Sequence, residues 1–356
     1  MLGTLFDQDV TYLNGKEIGH TYYQYPPRRY DIPEGVLREG DNVIAVRFIN
    51  KFGAVHFIPE KPYLIAFGDD RFSQNPMPED VIPLGETWKM RVGVEMPSCP
   101  SSDVSLQNLP TTLYNAVLHP LAPYAVSGVV WYQGESNTGN PAPYADYLKK
   151  MIGCWRDRWQ DQQMPFVIVQ LANYDGRQQT GFPRPIAYQA EPANSGWAQL
   201  REAQRTVAKA DPYAELAVIN DLGETVDIHP LRKKEVAGRI AQCFDRLVYK
   251  EKVTLSPEVV SAEVKDGNII LTLDQPVQSG ELYEFEIAGE DGKFVNAAAS
   301  AEGNKITVQS SKLKAQSSQF KVQSLRYAWK DNPLKANVRS LSGLPMSSFE
   351  LNINNQ

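Results

Sequence analysis

The chain has 356 residues, of which 42% are hydrophobic and 22% charged, with a net charge of -6. That length fits two or three domains at roughly 100–200 residues each. The absence of any Lys/Arg-rich run argues against nucleic acid and anionic membrane as partners. No stretch approaches the ~20 apolar residues of a membrane span. The opening Met1-Leu2-Gly3-Thr4-Leu5-Phe6-Asp7-Gln8-Asp9 has neither the basic nor the apolar region of a signal peptide.

Residues 1 to about 70 read as β. Val10-Thr11-Tyr12-Leu13 runs into Asn14-Gly15, the strongest short hairpin signal. From Asn42 to Ile49 the pattern alternates, with Val43, Ala45, Arg47 and Ile49 on one side and Ile44, Val46 and Phe48 on the other. Pro62 to Phe67 reads as a further strand. Three or four strands make half of a β-sandwich, so the chain is expected to start inside a domain. From about 108 to 250 strands and helices alternate. Val126–Tyr132, Phe166–Leu171 and Ala214–Asn220 read as strands. Helices are expected after each, with a stripe at Tyr144, Tyr147, Leu148, Met151, Ile152, Trp155 and Trp159. Further helices are expected over 197–210 and 231–249. This alternation predicts a parallel sheet with helices on both faces. Residues 255–356 return to β, and Asp266-Gly267 ahead of Asn268–Leu273 suggests another tight turn in a small antiparallel module.

Cys99, Cys154 and Cys243 are far apart, with no CxxC spacing and no neighbouring His, so no zinc site is expected. They read as three buried thiols. The six Trp and 17 Tyr suit a protein that stacks on sugar rings, although aromatic side chains more often fill cores.

The three strands of the α/β region end in polar groups, and in a parallel sheet such ends share one edge where ligands sit. The first ends in Gln133-Gly134-Glu135-Ser136-Asn137, the second in Asn173-Tyr174, and the third in Asp221 and the loop to His229. Asn173 and Tyr174 are candidate substrate contacts. His229 lies two residues after Asp227 and just before a helix. Histidine is the usual general base near neutral pH, and a carboxylate orients it. The bland reading is a loop His bonded to the following helix. Asp227 is the first candidate partner, with Asp221 and Glu224 as alternatives. Gln133, through its side-chain amide, and Gly134, through its backbone N–H, are candidate oxyanion donors, and Glu135 a candidate brace. A turn needing glycine for close approach would account for the same residues. Ser136 is an alternative nucleophile: Gly134-Glu135-Ser136-Asn137-Thr138 follows a strand and approaches the G-x-S-x-G elbow, but lacks its final glycine.

GVVWYQGESN, the preceding TTLYNAVLHPLAPY, the later WAQLREAQ, and DIHP followed by a basic helix together resemble the sialate O-acetylesterase family. LRYAWKDNP and GLP near the C-terminus extend the resemblance, and YLNGKEIG with YDIPEGVLREGDNVIAVRF resembles the jelly roll inserted into the larger members. The resemblance implies an SGNH-hydrolase-like, flavodoxin-like catalytic domain over 71–250. A partial jelly roll precedes it over 1–70, and a β module follows over 251–356. It implies a carbohydrate esterase that removes O-acetyl groups from sialic acid or a related glycan. A serine attacks the acetyl carbonyl, His229 is the base, Asp227 its partner, and Gln133-Gly134-Glu135 the central Q-G-E block. No cofactor or metal is implied, and the setting implied is extracellular or periplasmic.

One departure stands out. The family's nucleophile lies in a G-Q-S-N-M block, and no G-Q-S-N occurs here. Ser73-Gln74-Asn75 and Ser136-Asn137 lie in other contexts. The chain therefore resembles the C-terminal part of such an enzyme, with the first catalytic strand absent. That leaves an apolar sheet edge that invites dimerisation, or completion by an upstream fragment. The rival reading is a catalytically inactive carbohydrate-binding fragment.

Overall fold

The computed structural model describes residues 1–50, 56–57, 61–67, 80–85, 87–97, 105–175, 189–225, 227–310 and 322–353. The chain forms two compact units: Met1–Leu113 with Tyr174–Ala187 and Glu224–Leu231, and Tyr114–Asn173 with Tyr188–Gly223 and Arg232–Gln356.

The first unit is β-rich. Its strands are β1 (Leu5–Phe6), β2 (Gln8–Leu13), β3 (Lys16–Thr21), β4 (Ile44–Ile49), β5 (His56–Phe57), β6 (Leu64–Ala66) and β7 (Val81–Pro83). The Asn14-Gly15 turn joins β2 to β3, with both residues at positive φ (51° and 83°), as the tight hairpin requires. β2 is the centre of an antiparallel sheet of order β3-β2-β4. On β4, Ile44, Val46 and Phe48 are half-buried while Ala45, Arg47 and Ile49 are exposed, as the alternation predicts.

This unit has a polar anchor in its core. Arg28, fully buried, donates from Nε to Asp9 Oδ1 (2.7 Å). Thr11 and Tyr30 hydroxyls both donate to Asp9 Oδ2. The rest of the guanidinium goes to four carbonyls, those of Gln24, Pro26, Leu5 and Asp7. A buried charge persists only when paired and fully hydrogen-bonded, and Arg28 is both.

The second unit is mixed α/β. Its parallel sheet has order β10-β9-β8, formed by β8 (Val129–Trp131), β9 (Phe166–Val169) and β10 (Ala214–Ala217). Each strand is shorter than the sequence suggests: β8 begins only at Val129, and β9 and β10 end at Val169 and Ala217. All of β9 is buried, as a central parallel strand covered on both sides should be. Val167 and Ala217 face Cys243, Phe244 and Leu247 of α4 (Lys233–Leu247). On the opposite face Phe166 meets Trp155 of α2 (Tyr144–Trp159) edge-on, with ring centroids 6.1 Å apart. Helices thus cover both faces. A short turn, α1 (His119–Leu121), precedes β8, and α3 (Gly196–Ala210) packs on α2. Ser195 caps α3 by accepting from the Ala198 N–H (2.9 Å).

Two expectations need correction. Tyr147 of the α2 stripe is exposed while Tyr144, Leu148 and Ile152 are buried, because the buried arc is narrower than the aromatic stripe. Cys243 of α4 is buried, but Cys154 of α2 is exposed. Cys99 and Ser73-Gln74-Asn75 lie outside the described residues.

The remainder of this unit is a seven-stranded antiparallel sheet, order β11-β12-β15-β14-β13-β16-β17. It comprises β11 (Val259–Lys265), β12 (Asn268–Leu273), β13 (Gly280–Ala288), β14 (Phe294–Glu302), β15 (Lys305–Gln309), β16 (Ser324–Tyr327) and β17 (Phe349–Asn352). Asp266-Gly267 makes the turn between β11 and β12, both residues again at positive φ (50° and 74°). Ile269, Leu271, Phe285, Ile287, Ile306 and Leu325 form the heart of its apolar core.

Candidate active site

The site-forming loops divide between the two units. In the second unit, β8 runs directly into the Gln133–Asn137 loop, whose residues Glu135–Asn137 make one 3-10 turn. Gln133 is the tie-point of that loop. Its side-chain amide donates to Asn137 Oδ1 (2.8 Å), and its side-chain oxygen accepts from the Tyr144 hydroxyl (3.2 Å). Its backbone carbonyl accepts from Tyr144 (3.0 Å) and from Gln204 Nε2 (3.0 Å).

Gly134 is buried at φ 157°, a backbone conformation that L side chains rarely adopt, and a Cβ there would sit 2.6 Å from Leu200 Cδ2. Among the described residues the Gly134 N–H donates to no acceptor. Ser136 is exposed, and its hydroxyl has no hydrogen-bond partner among the described residues. The Glu135 charge bears on two neighbours. Burial first, then Glu135, pushes the Tyr132 phenol up to about 12. Burial lowers the Lys233 ammonium, with Glu135 pulling the other way, and that ammonium lies 4.8 Å over the Tyr132 ring.

Asn173, at the end of β9, is buried and its amide is engaged on both sides. It donates to Asn332 Oδ1 (2.9 Å) and accepts from the Gly223 N–H (2.8 Å). Asp221, after β10, pairs with Arg239 (2.6 Å) and Arg339 (2.9 Å). Burial alone would raise this carboxyl, but hydrogen bonds and charge from Arg239 and then Arg339 hold it below its ordinary value. Both groups serve as anchors.

In the first unit the His229 loop is built on a buried base. Glu224 and Asp227 form an isolated antiparallel bridge, and the Asp175 N–H donates to the Thr225 carbonyl (2.9 Å). The Arg29 guanidinium grips both Glu224 carboxylate oxygens. Asp227, 2% exposed, accepts from the His229 N–H (2.9 Å). The same oxygen lies 3.5 Å from His229 Nδ1, while the imidazole side chain is 50% exposed. Asp227 Oδ2 is buried and has no hydrogen-bond partner among the described residues. The Tyr25 ring stands 5.3 Å from the His229 ring. Tyr174 is half-buried in this unit.

Of the three carboxylates that could face His229, the structure pairs Asp227 with it and engages Glu224 and Asp221 with arginines. Sequence reasoning missed Arg29, Tyr25, Arg201 and Gln204. The last two carried a signal: they sit three residues apart on the inward face of an amphipathic helix, where apolar residues are expected. Arg201 donates to the carbonyls of Leu171, Ala172, Lys330 and Asp331. Gln204 accepts from the Leu171 N–H (2.9 Å) while donating to Gln133. The two side chains fasten the end of β9 and the Gln133 loop to α3. Among the described residues no group of three or more His, Cys, Asp or Glu is placed to hold a metal ion. No helix among them is long and apolar enough to cross a membrane.

Residues 102–210 match the family model described as "Carbohydrate esterase, sialic acid-specific acetylesterase". Human sialate O-acetylesterase is 28% identical over 279 residues, covering 71% of this chain and 51% of its own length. The mouse enzyme of the same name is 30% identical over 197 residues, covering 50% of this chain and 35% of its own. A crystal structure of a carbohydrate acetylesterase from Xanthomonas citri superposes with a TM-score of 0.59 at 33% identity, covering 69% of this chain and 55% of that one. The chain spans about half the length of the curated relatives it matches. The Q-G-E block within the matched segment, its seat at the end of a parallel strand and the likeness of fold lead to one conclusion: over residues 102–210 and beyond, the chain is similar to the sialic acid-specific acetylesterases among the carbohydrate esterases.

Proposed function

We propose that this chain carries the general-base part of an SGNH-type carbohydrate esterase that removes O-acetyl groups from sialic acid or a related glycan. The observation that carries the reading is His229: a half-exposed imidazole with its Nδ1 side against the buried carboxylate of Asp227. That arrangement leaves Nε2 free to take a proton, and the carboxylate stabilises the imidazolium that forms. The 3.5 Å separation is longer than a hydrogen bond, as is common for such pairs before substrate binds.

In the proposed cycle a serine Oγ attacks the acetyl carbonyl carbon and its proton passes to His229. The C–O bond to the sugar breaks, and the sugar oxygen takes the proton from His229. Water, activated by the same imidazole, then releases acetate. The Gly134 N–H is suited to receive oxyanion charge, and Gln133 and Glu135 hold its loop in place. Asn173, with Tyr174, belongs to the frame on which substrate would be held. The serine has two candidate sources. One is Ser136; the other is the G-Q-S-N-M block of the family, which these 356 residues do not contain. An exported setting, in which O-acetylated glycans are met, goes with this proposal.

The test is acetate release from 9-O-acetyl-N-acetylneuraminic acid, by this chain alone and by the chain joined to a family segment bearing that block. His229→Ala is expected to lower the rate of the active form about a thousandfold. An undiminished rate in His229→Ala refutes the reading. Activity of the chain alone that vanishes in Ser136→Ala would assign the nucleophile to Ser136.

A further inference from the structure

The first unit carries a row of aromatic rings that its own packing does not use. Tyr22, Tyr23 and Tyr25 follow β3 and are 63%, 57% and 47% exposed. Their backbone is nevertheless fixed. The buried Arg28 guanidinium bonds the carbonyls of Gln24 (3.0 Å) and Pro26 (2.6 Å), the residues on either side of Tyr25. Tyr23 meets Tyr25 edge-on at 5.1 Å, and Tyr25 in turn lies 5.3 Å from the His229 ring, tilted by 40°. Large rings held exposed on a fixed loop cost stability without filling a core. Their usual use is recognition, where a rigid aromatic surface binds with little loss of freedom.

We propose that Tyr25, backed by Tyr23, is the wall on which the sugar ring of the substrate stacks, presenting its acetyl ester to His229. The inference rests on the reading of His229 as the base. An aromatic face carries negative charge density and attracts the C–H bonds on the apolar face of a pyranose. A ring stacked on Tyr25 would keep its substituents within reach of an imidazole 5.3 Å from that tyrosine. This assigns sugar selectivity to the β unit, separately from the Gln133–Asn137 loop.

Binding tests it without requiring turnover. 9-O-Acetyl-N-acetylneuraminic acid is titrated onto the full chain and followed by NMR. Tyr25→Ala is expected to weaken binding about three- to tenfold, as the loss of one aromatic contact should. Tyr25→Phe and Tyr25→Trp, which keep a ring, are expected to bind as the parent does. His229→Ala is expected to retain binding, since the sugar is held by the tyrosine. The proposal is overturned if the parent chain shows no saturable binding or if Tyr25→Ala binds unchanged. It is also overturned if Tyr25→Phe loses as much as Tyr25→Ala, or if His229→Ala loses as much, which would make Tyr25 a support for the histidine. Failure of the esterase reading shows separately, as unaltered acetate release by His229→Ala.

Discussion

The C-terminal sheet and the ends of the parallel strands are held together by opposite means. In the sheet, Ile269, Leu271, Ile287, Ile306 and Leu325 are fully buried within one apolar cluster. At the strand ends, beside buried apolar residues such as Leu171 and Ile219, polar side chains are buried too: Asn173, Asn220 and Gln170, with Arg201 and Gln204 of α3 against them, each spent on hydrogen bonds. An apolar core tolerates rearrangement at constant volume, whereas a hydrogen-bonded frame fixes atoms in place. A site needs the second kind of material where its loops begin, and the first kind elsewhere.

The comparison can be broken most sharply at Arg201. Arg201→Met removes donors to four buried carbonyls, and an unfolding free energy lower by about 4 kcal/mol is expected in urea denaturation. Leu271→Ala, the matching change in the sheet, is expected to cost about 3 kcal/mol through its cavity. The two should part more clearly in function. Arg201→Met loosens the end of β9 at Leu171 and Ala172 and should depress acetate release, while Leu271→Ala should leave it near the parent level once the protein is folded. Equal losses of activity would mean that the frame does not position the site.

The sheet departs from its apolar rule on β13, where Glu284 is buried in an ion pair with Lys330 and Glu286 is buried beside it. Glu286 is fully buried, and among the described residues neither of its carboxylate oxygens has a hydrogen-bond partner. Burial, assisted by Glu284 and opposed by Lys330 and Arg326, pushes its carboxyl up to about 7. The folded value lies above that of the unfolded chain, roughly 4.3. Its contribution is therefore intact below about pH 4 and lost as the pH rises through about 7, a decline on the order of 3 kcal/mol. Glu286→Gln should flatten that part of the stability–pH curve. An unchanged slope would show that another group titrates. The smallest effect is expected at the exposed Cys154, where Cys154→Ser should stay within about 0.5 kcal/mol in the same denaturation assay.

What the sequence revealed and what it hid divide along the same line. Asn14-Gly15, Asp266-Gly267, the alternation of β4 and the buried run of β9 were legible because each is a local pattern with a local cause. The pairing of Asp227 with His229 was legible for the same reason, being two residues apart. The grip of Arg29 on Glu224 spans 195 residues, and no local pattern encodes it. Nor does any encode the approach of Tyr25 to His229. Asn173 shows the limit from the other side: a polar residue at a strand end reads as a ligand contact, and its bonds to Asn332 and Gly223, 159 and 50 residues away, have no local signal.

That anchoring has a consequence for how the loop after β10 can vary by descent. A Cβ on Gly223 would lie 2.2 Å from the Asn173 carbonyl oxygen and 2.8 Å from its backbone nitrogen. The obstacle is main chain, which no neighbouring side chain can relieve by changing rotamer. At Gly134 the obstacle is a leucine methyl group, which can move aside. A side chain at Gly134 would thus be opposed by its φ of 157° rather than by main-chain atoms. Lineages that alter residue 223 must first rebuild the end of β9, so this letter of the sequence is inherited with its partner or not at all.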